Sequence, residues 1–411
     1  MKIAKTRLAT SALAVLAATS LTACGTQTSA VSHTVTSFPG PTRLTTKILN
    51  EELAGKTPPI VAQELKNSGK LLKGEVVPGY PNGTTPGNAA TYFHFTASDI
   101  ARLKAGHYTA GIVMHTMGAA WPHLQVEGIT NTLKKFGIRV IGVTDAHMDP
   151  ATQVNNVETM ISEHPSVIFS IPVNEITEAT AYKSISKAGI KLVFMDNVPV
   201  GLTPEKNYVD VVSANDGGNT IFAVKQLLKR VGTHATIGDQ TLATDYFSVV
   251  VRQNAFEKAV SHYSHLTVIK STFTSPTQQV YNNTVDMLTA HPNIRGMWLA
   301  WDTPAEEAVA AEKALGKHIV ITTNDLGPIS ALDLAEGYIS ADGAQQPYYQ
   351  GVAEAESAAY AFLGKKVPPY FEWPTIPVTP LDLIPAYRRV MHTQTVPADI
   401  IQALRQRIAK S

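Results

Sequence analysis

The feature that most constrains the fold is a regular alternation of apolar runs and amphipathic stretches that starts after His107. The apolar runs have the length of strands, and the stretches between them have the period of helices. This alternation is typical of parallel strands joined by crossover helices. The runs form two series, namely YTAGIVM, IRVIGV, SVIFSI, IKLVFM and YVDVV, then HATIGD, LTVIKS, RGMWLA, HIVITT and YISADG. The sequence therefore predicts an α/β fold with two doubly wound parallel-sheet lobes.

Both series place polar or aromatic residues directly after their strands. In GIVMHTMGAAWPHLQVEG, for example, a buried strand ends before Gly118, and Trp121 follows before a helix has begun. Open α/β sheets bind their ligands in the crevice beyond the carboxyl ends of the strands. Two such edges predict a ligand cleft between the lobes, with Trp121 on one side of it.

The first residues have the pattern of an export signal. MKIAKTR carries three positive charges and precedes the apolar run LATSALAVLAATSL, which is too short to span a bilayer. The run ends in LTAC, which resembles the bacterial lipoprotein box, where cleavage leaves a lipid-modified cysteine. We expect a signal peptide over residues 1–23 and a lipid on Cys24, the single cysteine of the chain. The alternative is an ordinary export signal with a chance cysteine.

Composition and motifs exclude several classes of function. The formal net charge of +1 provides no basic field for nucleic acid. The sequence has no Gly-x-Ser-x-Gly elbow, no His-Glu-x-x-His helix and no Gly-x-Gly-x-x-Gly after a strand. The pair His262 and His265 has helical ligand spacing but no carboxylate pair nearby. We therefore expect no metal and no cofactor. The motifs alone leave open a glycosidase that uses two carboxylates such as Asp196 and Asp325, and the resemblance described next is what implies binding without catalysis.

Five segments carry a resemblance to a known family. In order, they are GITNTLKKFGIRVIGVTDAHMDPATQVNNVETMISEHPSVIFSIP, GIKLVFMDNVP, VRQNAFEKA, DMLTAHPNIRGMWLAWD and ITTNDLG. From His107 to about Pro368 the chain resembles the type I periplasmic binding proteins that bind sugars, in particular the ribose-binding group that feeds ABC importers. The resemblance implies a three-segment hinge, with crossings expected near residues 212–215, near residues 343–346 and after Trp373.

These expectations divide the chain into five parts. They are a signal peptide at 1–23, a lipid-anchored stalk and extension at 24–106, an N-terminal lobe at 107–212 with 346–373, a C-terminal lobe at 213–345 with 374–384, and a tail at 385–411.

The resemblance also implies roles for single residues. Trp121 matches an aromatic ring that stacks on the sugar, and Asp196 and Asp325 match carboxylates that accept hydrogen bonds from its hydroxyls. Arg252 matches an arginine that donates to two adjacent ligand oxygens, and Gln345 matches a hinge glutamine that touches the ligand. The alternatives are a core tryptophan for Trp121, a cap or turn for Asp196, a surface ion pair for Arg252 and a plain hinge residue for Gln345.

Other positions depart from the ribose-binding pattern. Ala119 and Trp301 each replace an asparagine, and Asn197 replaces an arginine, so three contacts to ribose are missing or altered. Trp301 is either a second ring against the ligand or a packing residue for the helix that follows it. The remaining candidates stand in loops that we expect to reach the cleft, and they are Asp245, Phe247 and Asp302.

These inferences predict an extracytoplasmic, lipid-anchored, monomeric solute-binding protein of an ABC importer. Lobe closure would capture a small sugar or polyol for delivery to the permease. A sensor that signals to a membrane receptor and a binder of small aromatic or heterocyclic solutes remain alternatives. The membrane would be reached through the lipid alone, because no later segment contains 18 consecutive apolar residues.

Overall fold

The computed structural model describes residues 43–57, 59, 62, 85–244, 246–274 and 277–410. The predicted signal peptide, Cys24 and Asp245 lie outside these residues.

The first lobe is built on a parallel sheet that has seven strands in the described part of the chain. These strands are β1 Gly87–Asn88, β2 Thr109–Met114, β3 Arg139–Asp145, β4 Val167–Ser170, β5 Lys191–Met195, β6 Asp210–Ala214 and β12 Tyr370–Trp373. Their order across the sheet is β1-β12-β6-β5-β4-β2-β3. The inner strand β4 is buried throughout, as expected where helices cover both faces of a parallel sheet.

The second lobe is built on a six-stranded sheet, counted in the same described residues. Its strands are β7 Thr236–Leu242, β8 Thr267–Phe273, β9 Ile294–Leu299, β10 Val320–Asn324, β11 Ile339–Ala344 and β13 Ile376–Val378. Their order is β13-β11-β10-β9-β7-β8, and β13 alone runs antiparallel to its neighbour. The doubly wound fold with two lobes is thus confirmed.

Helices alternate with the strands in both lobes. In the first lobe they are α2 Ala89–Tyr92, α3 Ala97–Ala105, α4 Ala120–Lys135, α5 Pro150–Ser162, α6 Ala179–Lys187 and α12 Pro347–Phe362. In the second lobe they are α1 Thr46–Leu53, α7 Asp216–Val231, α8 Phe247–Ser261, α9 Gln279–Ala290, α10 Asp302–Leu315, α11 Pro328–Glu336, α13 Leu383–Val390 and α14 Ala398–Lys410.

The chain passes between the two sheets three times in its described part. The crossings lie between β6 and α7, between β11 and α12, and between β12 and β13. Hydrogen bonds tie the crossing segments together, because the Asn215 N–H donates to Trp373 O at 3.2 Å and Gln346 Nε2 donates to Pro374 O at 2.6 Å. This is the three-segment hinge; the domain boundaries given above remain a prediction.

The described residues near both ends of the chain pack onto the second lobe. Leu49 of α1 and Leu404 of α14 are fully buried in the same core as Ile321 of β10. Arg388 of α13 holds the end of α1, because its guanidinium donates to Glu52 O at 2.7 Å and to Leu53 O at 3.2 Å. The last carbonyls of a helix need such donors, so α1 is anchored to α13.

Helices α4 and α12 of the first lobe approach each other through two glycines. A Cβ on Gly128 would lie 2.0 Å from Tyr348 O, and a Cβ on Gly351 would lie 2.3 Å from Gln125 O. Backbone atoms therefore occupy the space that any larger residue would need. This contact fixes where α4, and with it Trp121, stands relative to the hinge.

Candidate functional site

Two aspartates occupy equivalent positions in the two lobes. Asp196 directly follows β5, and Asp325 directly follows β10. Both have left-handed backbone conformations, with φ of 49° and 67°, which aspartate tolerates better than most residues. The N–H of each still donates to the adjacent strand, to Val212 O at 3.0 Å and to Gly343 O at 3.2 Å. The chain therefore turns at the carboxyl edge of each sheet and leaves a carboxylate there.

A cavity lies between the two lobes at this edge. Trp121 borders it from the first lobe, Asp302 and Asp325 border it from the second lobe, and Gln345 borders it from the hinge. The other lining residues are Ala120, Leu124, Leu326, Gly327, Pro347, Val390 and Met391. The cavity measures about 10 Å³, roughly the space of a single water molecule. The lobes are therefore closed on each other in this conformation.

Trp121 is held across the cleft by a hydrogen bond. Helix α4 begins at Ala120, so Trp121 is its second residue and does not precede the helix as expected from the sequence; the side chain is partly buried. Its Nε1 donates to Gln345 Oε1 at 2.7 Å, and its ring meets His115 edge to face at 6.0 Å between centroids. Burial lowers the pKa of His115 to about 4, so this imidazole is neutral near pH 7. The indole thus belongs to the cleft wall and also contacts the core of its own lobe.

Arg252 links the site to the second lobe. Its guanidinium contacts both oxygens of Asp325, at 2.8 and 3.1 Å, and its Nε donates to Asp216 Oδ1 at 2.7 Å. Nη1 also donates to Ala300 O at 2.7 Å. In this conformation the arginine fork that was expected to hold a ligand is occupied by protein acceptors. Burial raises the pKa of Asp325, and the Arg252 charge opposes that rise.

A continuous hydrogen-bonded chain joins the lobes. Gln345 accepts from Trp121 and donates from Nε2 to Asp216 Oδ1 at 3.1 Å, and Asp216 accepts from Arg252. The order is therefore Trp121, Gln345, Asp216, Arg252 and Asp325. Trp121 of the first lobe is thus connected to Arg252 and Asp325 of the second lobe through the hinge residue Gln345.

Two carboxyl groups in the site have strongly shifted proton affinities. Burial raises the pKa of Asp302 to about 7, and the nearby Asp325 charge adds to this effect. Burial likewise raises the pKa of Asp196 to about 7, with a further contribution from Asp216. Asp302 Oδ1 accepts from the Thr303 N–H at 2.8 Å. Both acids therefore change charge near neutral pH.

The wall of the cleft is rich in acceptors. Its described donors, on Trp121, Gln345 and Arg252, are bonded to protein oxygens. The carboxylates of Asp302 and Asp325 have further lone pairs, since an ionised carboxylate offers about four acceptor positions. The site is therefore suited to a ligand that donates hydrogen bonds.

The structure brings some of the candidate residues together at the cavity and leaves others away from it. Trp121, Asp302, Asp325 and Gln345 line the cavity, Arg252 contacts Asp325, and Asp196 accepts from Gln350 Nε2 at 3.0 Å beside this group. The roles predicted for these residues toward a ligand remain predictions.

Three other candidates lie away from the cavity wall. Asn197 is buried, and its Nδ2 donates to Pro172 O at 3.1 Å. Phe247 packs with an apolar cluster of the first lobe. Trp301 contacts Phe273 at 5.5 Å between ring centroids and packs against the core of the second lobe. The contacts of Trp301 correspond to the packing alternative.

Several site residues were not found from the sequence. Asp216 opens α7 directly after the hinge, and the polar segment SANDGGN was a usable signal for it. Gln350, in the first turns of α12, is bonded to Asp196 and to Val212 O. Val390 and Met391 come from the segment assigned to a tail, and no sequence pattern indicates that it returns to the cleft.

Among the described residues, no group of three or more His, Cys, Asp or Glu side chains is arranged to hold a metal ion.

In the part of the chain that the structure describes, no helix combines the length and the apolar character that crossing a membrane requires.

Comparisons with known proteins place this geometry in a family. The family model described as a periplasmic binding protein domain matches residues 110–366. The ribose import binding protein of Salmonella typhimurium is 21% identical over 263 residues, which are 63% of this chain and 86% of that protein.

Solved structures of similar fold point in the same direction. An ABC transporter solute-binding protein from Agrobacterium vitis with bound D-fucose has a TM-score of 0.61 and 20% identity, over 66% of this chain and 95% of that chain. A periplasmic solute-binding protein from Actinobacillus succinogenes with bound D-allose has a TM-score of 0.61 and 21% identity, over 67% and 99%.

Two parallel-sheet lobes, a three-segment hinge and a cleft at the strand ends define a bilobal solute-binding protein. The family model covers more than half of the chain. It includes strands β3 to β11 and all of β2 except its first residue. The chain belongs to the periplasmic binding protein family, which confirms the resemblance found in the sequence.

Proposed function

We propose that this protein is the extracytoplasmic solute-binding component of an ABC importer and that it captures a small sugar or polyol. The observation that carries the proposal is the cavity between the lobes, where Trp121 faces an acceptor-rich wall with Asp302 and Asp325. A sugar offers C–H faces for an indole and hydroxyl donors for carboxylates. The relatives named above include a ribose import protein and solute-binding proteins with D-fucose and D-allose.

Closure of the lobes is the mechanism that we infer. A sugar is larger than the present cavity, so the cleft must open to admit it and close to cover it. Binding to Trp121 on one lobe and to Asp325 on the other favours the closed form, because only that form makes both sets of contacts. The permease would then recognise the two lobe surfaces in their closed arrangement.

We propose binding without turnover. Asp325 is held by two N–H groups of Arg252, which favours a fixed, ionised acceptor over an acid that gives up its proton. Asp196 accepts from the neutral amide of Gln350, which fixes the position of the carboxyl group. The pair therefore suits recognition of hydroxyl groups better than the acid and base roles of a glycosidase.

A thermal-shift screen tests the proposed ligand class. D-ribose, D-allose, D-fucose and allitol should each be measured, with nucleosides and aromatic acids as comparison compounds. A ligand at 100 times its dissociation constant adds about 2.7 kcal/mol to the free energy of unfolding. If the aromatic acids or nucleosides raise the melting temperature and no sugar or polyol does, the proposed ligand class is wrong.

We further propose that Cys24 carries a lipid that tethers the protein to the membrane. The LTAC box supports this, as does the absence of any other cysteine in the chain. Cys24→Ser should release the protein from the membrane fraction or leave it unprocessed. A serine variant that is cleaved at the same place and stays on the membrane would contradict the lipid anchor.

A further inference from the structure

The C-terminal part of the chain reaches across the hinge. Residues 389–392, which we call the clasp, are the last two residues of α13 and the two residues after it, and they contact the start of α12 in the first lobe. The Arg389 guanidinium lies 3.5 Å from the centroid of the Tyr349 ring, and its Nε donates to Gln346 Oε1 at 2.6 Å. The His392 ring stacks on Tyr348 at 3.5 Å, with 6° between the ring planes.

These contacts connect the second lobe to both the hinge and the first lobe. Gln346, which accepts from Arg389, also donates to Pro374 O in another crossing segment. Tyr349, which lies under Arg389, stacks on Trp373 at the end of β12. An arginine over an aromatic face is attracted by the ring as well as by its hydrogen-bond acceptor. The clasp therefore grips structures that would move relative to α13 when the lobes separate.

The same segment also forms part of the cleft wall. Val390 and Met391 line the cavity together with Leu124 and Pro347, while Asp302 stands on the polar part of the wall. The two outer residues of the clasp thus contact the first lobe, and the two middle residues close the cleft. An apolar wall favours the C–H surface of a ligand over its hydroxyls.

The clasp lies outside the part of the chain that the family model matches. The periplasmic binding protein domain matches residues 110–366, so α13 and the clasp lie beyond it. Helix α13 is fixed to the second lobe, because its Leu383 and Ile384 are fully buried in the core of that lobe. The clasp is therefore fixed to the second lobe and makes two ring contacts with the first lobe, an arrangement that can hold the lobes together.

We propose that the clasp holds the lobes closed and supplies a specificity-determining wall of the cleft, with Arg389 and His392 as the gripping residues and Met391 as the wall residue. The wall role rests on the proposed function, because it concerns the same ligand. The gripping role does not, because the contacts exist within the protein alone. In this view the clasp stabilises the closed form before and after a sugar enters.

The double variant Arg389→Ala/His392→Ala tests the grip. Both side chains are exposed, so the melting temperature should stay near that of the wild type. Small-angle scattering of the full chain, with Cys24→Ser in every sample, should show a larger radius of gyration for the ligand-free double variant. The dissociation rate of the panel sugar that binds most tightly should rise about tenfold, equivalent to about 1.4 kcal/mol.

Two single variants separate the roles. Arg388→Ala is the matched control, because this neighbouring arginine contacts Glu52 O and Leu53 O and not the first lobe. It should lower the melting temperature and leave the ligand-free scattering profile unchanged. Met391→Ala should weaken sugar binding several-fold with the same unchanged profile, because it removes wall surface and not the grip.

Scattering of the ligand-free protein decides the proposal. A double variant whose profile matches that of the wild type overturns the clasp, whatever its affinity for sugars. If no panel sugar binds the wild type, the proposed ligand class fails on its own, and an expanded ligand-free double variant still supports the grip. Arg389→Lys should give an intermediate radius, because lysine keeps the charge and loses the planar fork.

Discussion

Trp121 is the residue whose replacement most directly tests the cleft. Its indole lines the cavity, is partly buried and donates to Gln345. Trp121→Ala should weaken sugar binding by roughly ten- to a hundredfold, because a stacked ring contributes about 1–3 kcal/mol. Calorimetry would give the affinity, and a thermal melt would show whether the fold is retained.

Trp301 provides the matched control for Trp121→Ala. It packs against Phe273 and the core of the second lobe and does not line the cavity. Trp301→Ala should therefore lower stability, by less than the about 3–5 kcal/mol of a fully buried tryptophan, and leave the affinity nearly unchanged. A Trp121 variant that melts early yet binds sugar normally, together with a Trp301 variant that loses affinity, would reverse the two assignments.

Asp302 should make sugar binding depend on pH. Its pKa of about 7 means that the acceptor form of the carboxyl is lost as the pH falls through neutrality. The affinity of the wild type should decrease by on the order of tenfold between pH 8 and pH 5.5, because hydroxyl donors need the ionised group. Isothermal titration calorimetry at both pH values measures this effect.

Asp302→Asn is the corresponding control. The amide oxygen can still accept from the Thr303 N–H, so the start of α10 keeps its contact. The variant should bind more weakly at pH 8 and show a smaller pH dependence, with the remainder due to Asp196 and its pKa of about 7. An asparagine variant with the full pH dependence of the wild type would assign the titration to another group.

Residue identities were predictable where a strand ends, and less so elsewhere. Trp121 was found because the segment after a parallel strand must face the edge of the sheet, and Asp325 was found through the family resemblance, also directly after a strand. Trp301 also follows β9, but its ring packs against Phe273 and the core of the second lobe. Whether a side chain after a strand points into the cleft or into the core depends on packing partners that are distant in sequence.

At the scale of elements, the contact between α4 and α12 should tolerate no added atom. Gly128→Ala would bring a Cβ to 2.0 Å from Tyr348 O, a backbone atom that cannot rotate away. The helices must then separate, at a cost of about 1–3 kcal/mol or more. Urea unfolding should show a lower midpoint for this variant.

Gly118→Ala is the appropriate comparison for this element. Its Cβ would meet the Thr116 hydroxyl at 3.4 Å, which is ordinary contact. Its midpoint should stay within about 0.5 kcal/mol of the wild type in free energy of unfolding. Equal losses in both variants would show that the helix contact is less rigid than the structure indicates.

Strands and helices could be predicted where the sequence has a clear hydrophobic pattern. The strands β2 to β11 follow the apolar runs of the sequence, because a parallel sheet covered on both faces needs continuous apolar segments. The two-residue strand β1 and the three-residue strand β13 are too short to have a pattern. The amphipathic helices α13 and α14 have a helical period, but their docking on the second-lobe core depends on surfaces formed by α11 and α1 and, for α13, by β13.

At the scale of the whole molecule, buried acids should make the ligand-free protein more stable in mild acid. Burial raises the folded-state pKa of Asp196 and Asp302 to about 7 and that of Asp210 and Glu178 to about 8. Unfolded carboxyl groups titrate near pH 4, so between about pH 4 and 8 the folded protein binds more protons than the unfolded chain. Stability should therefore fall as the pH rises through this window.

His115 changes the stability in the opposite direction, but its contribution is smaller than that of the carboxyl groups together. Its folded pKa of about 4 lies below the ordinary value, so the unfolded chain takes up the proton first as the pH falls below about 6.5. One such group opposes four carboxyl groups, each of which contributes up to about 1.4 kcal/mol per pH unit. The net expectation is a higher melting temperature at pH 5.5 than at pH 8.

The opposite slopes of stability and binding give a joint test of how the cleft is built. Ligand-free protein should melt later at pH 5.5, while the increase that a bound sugar adds should be larger at pH 8, because Asp302 and Asp196, the two cleft acids among these groups, must lose their protons to accept its hydroxyls. Asp210→Asn should flatten the first trend and leave the second, because Asp210 bonds to Ser357 inside the first lobe and does not line the cavity. A sugar-induced increase that is equal at both pH values would mean that the cleft carboxyl groups do not contact the ligand.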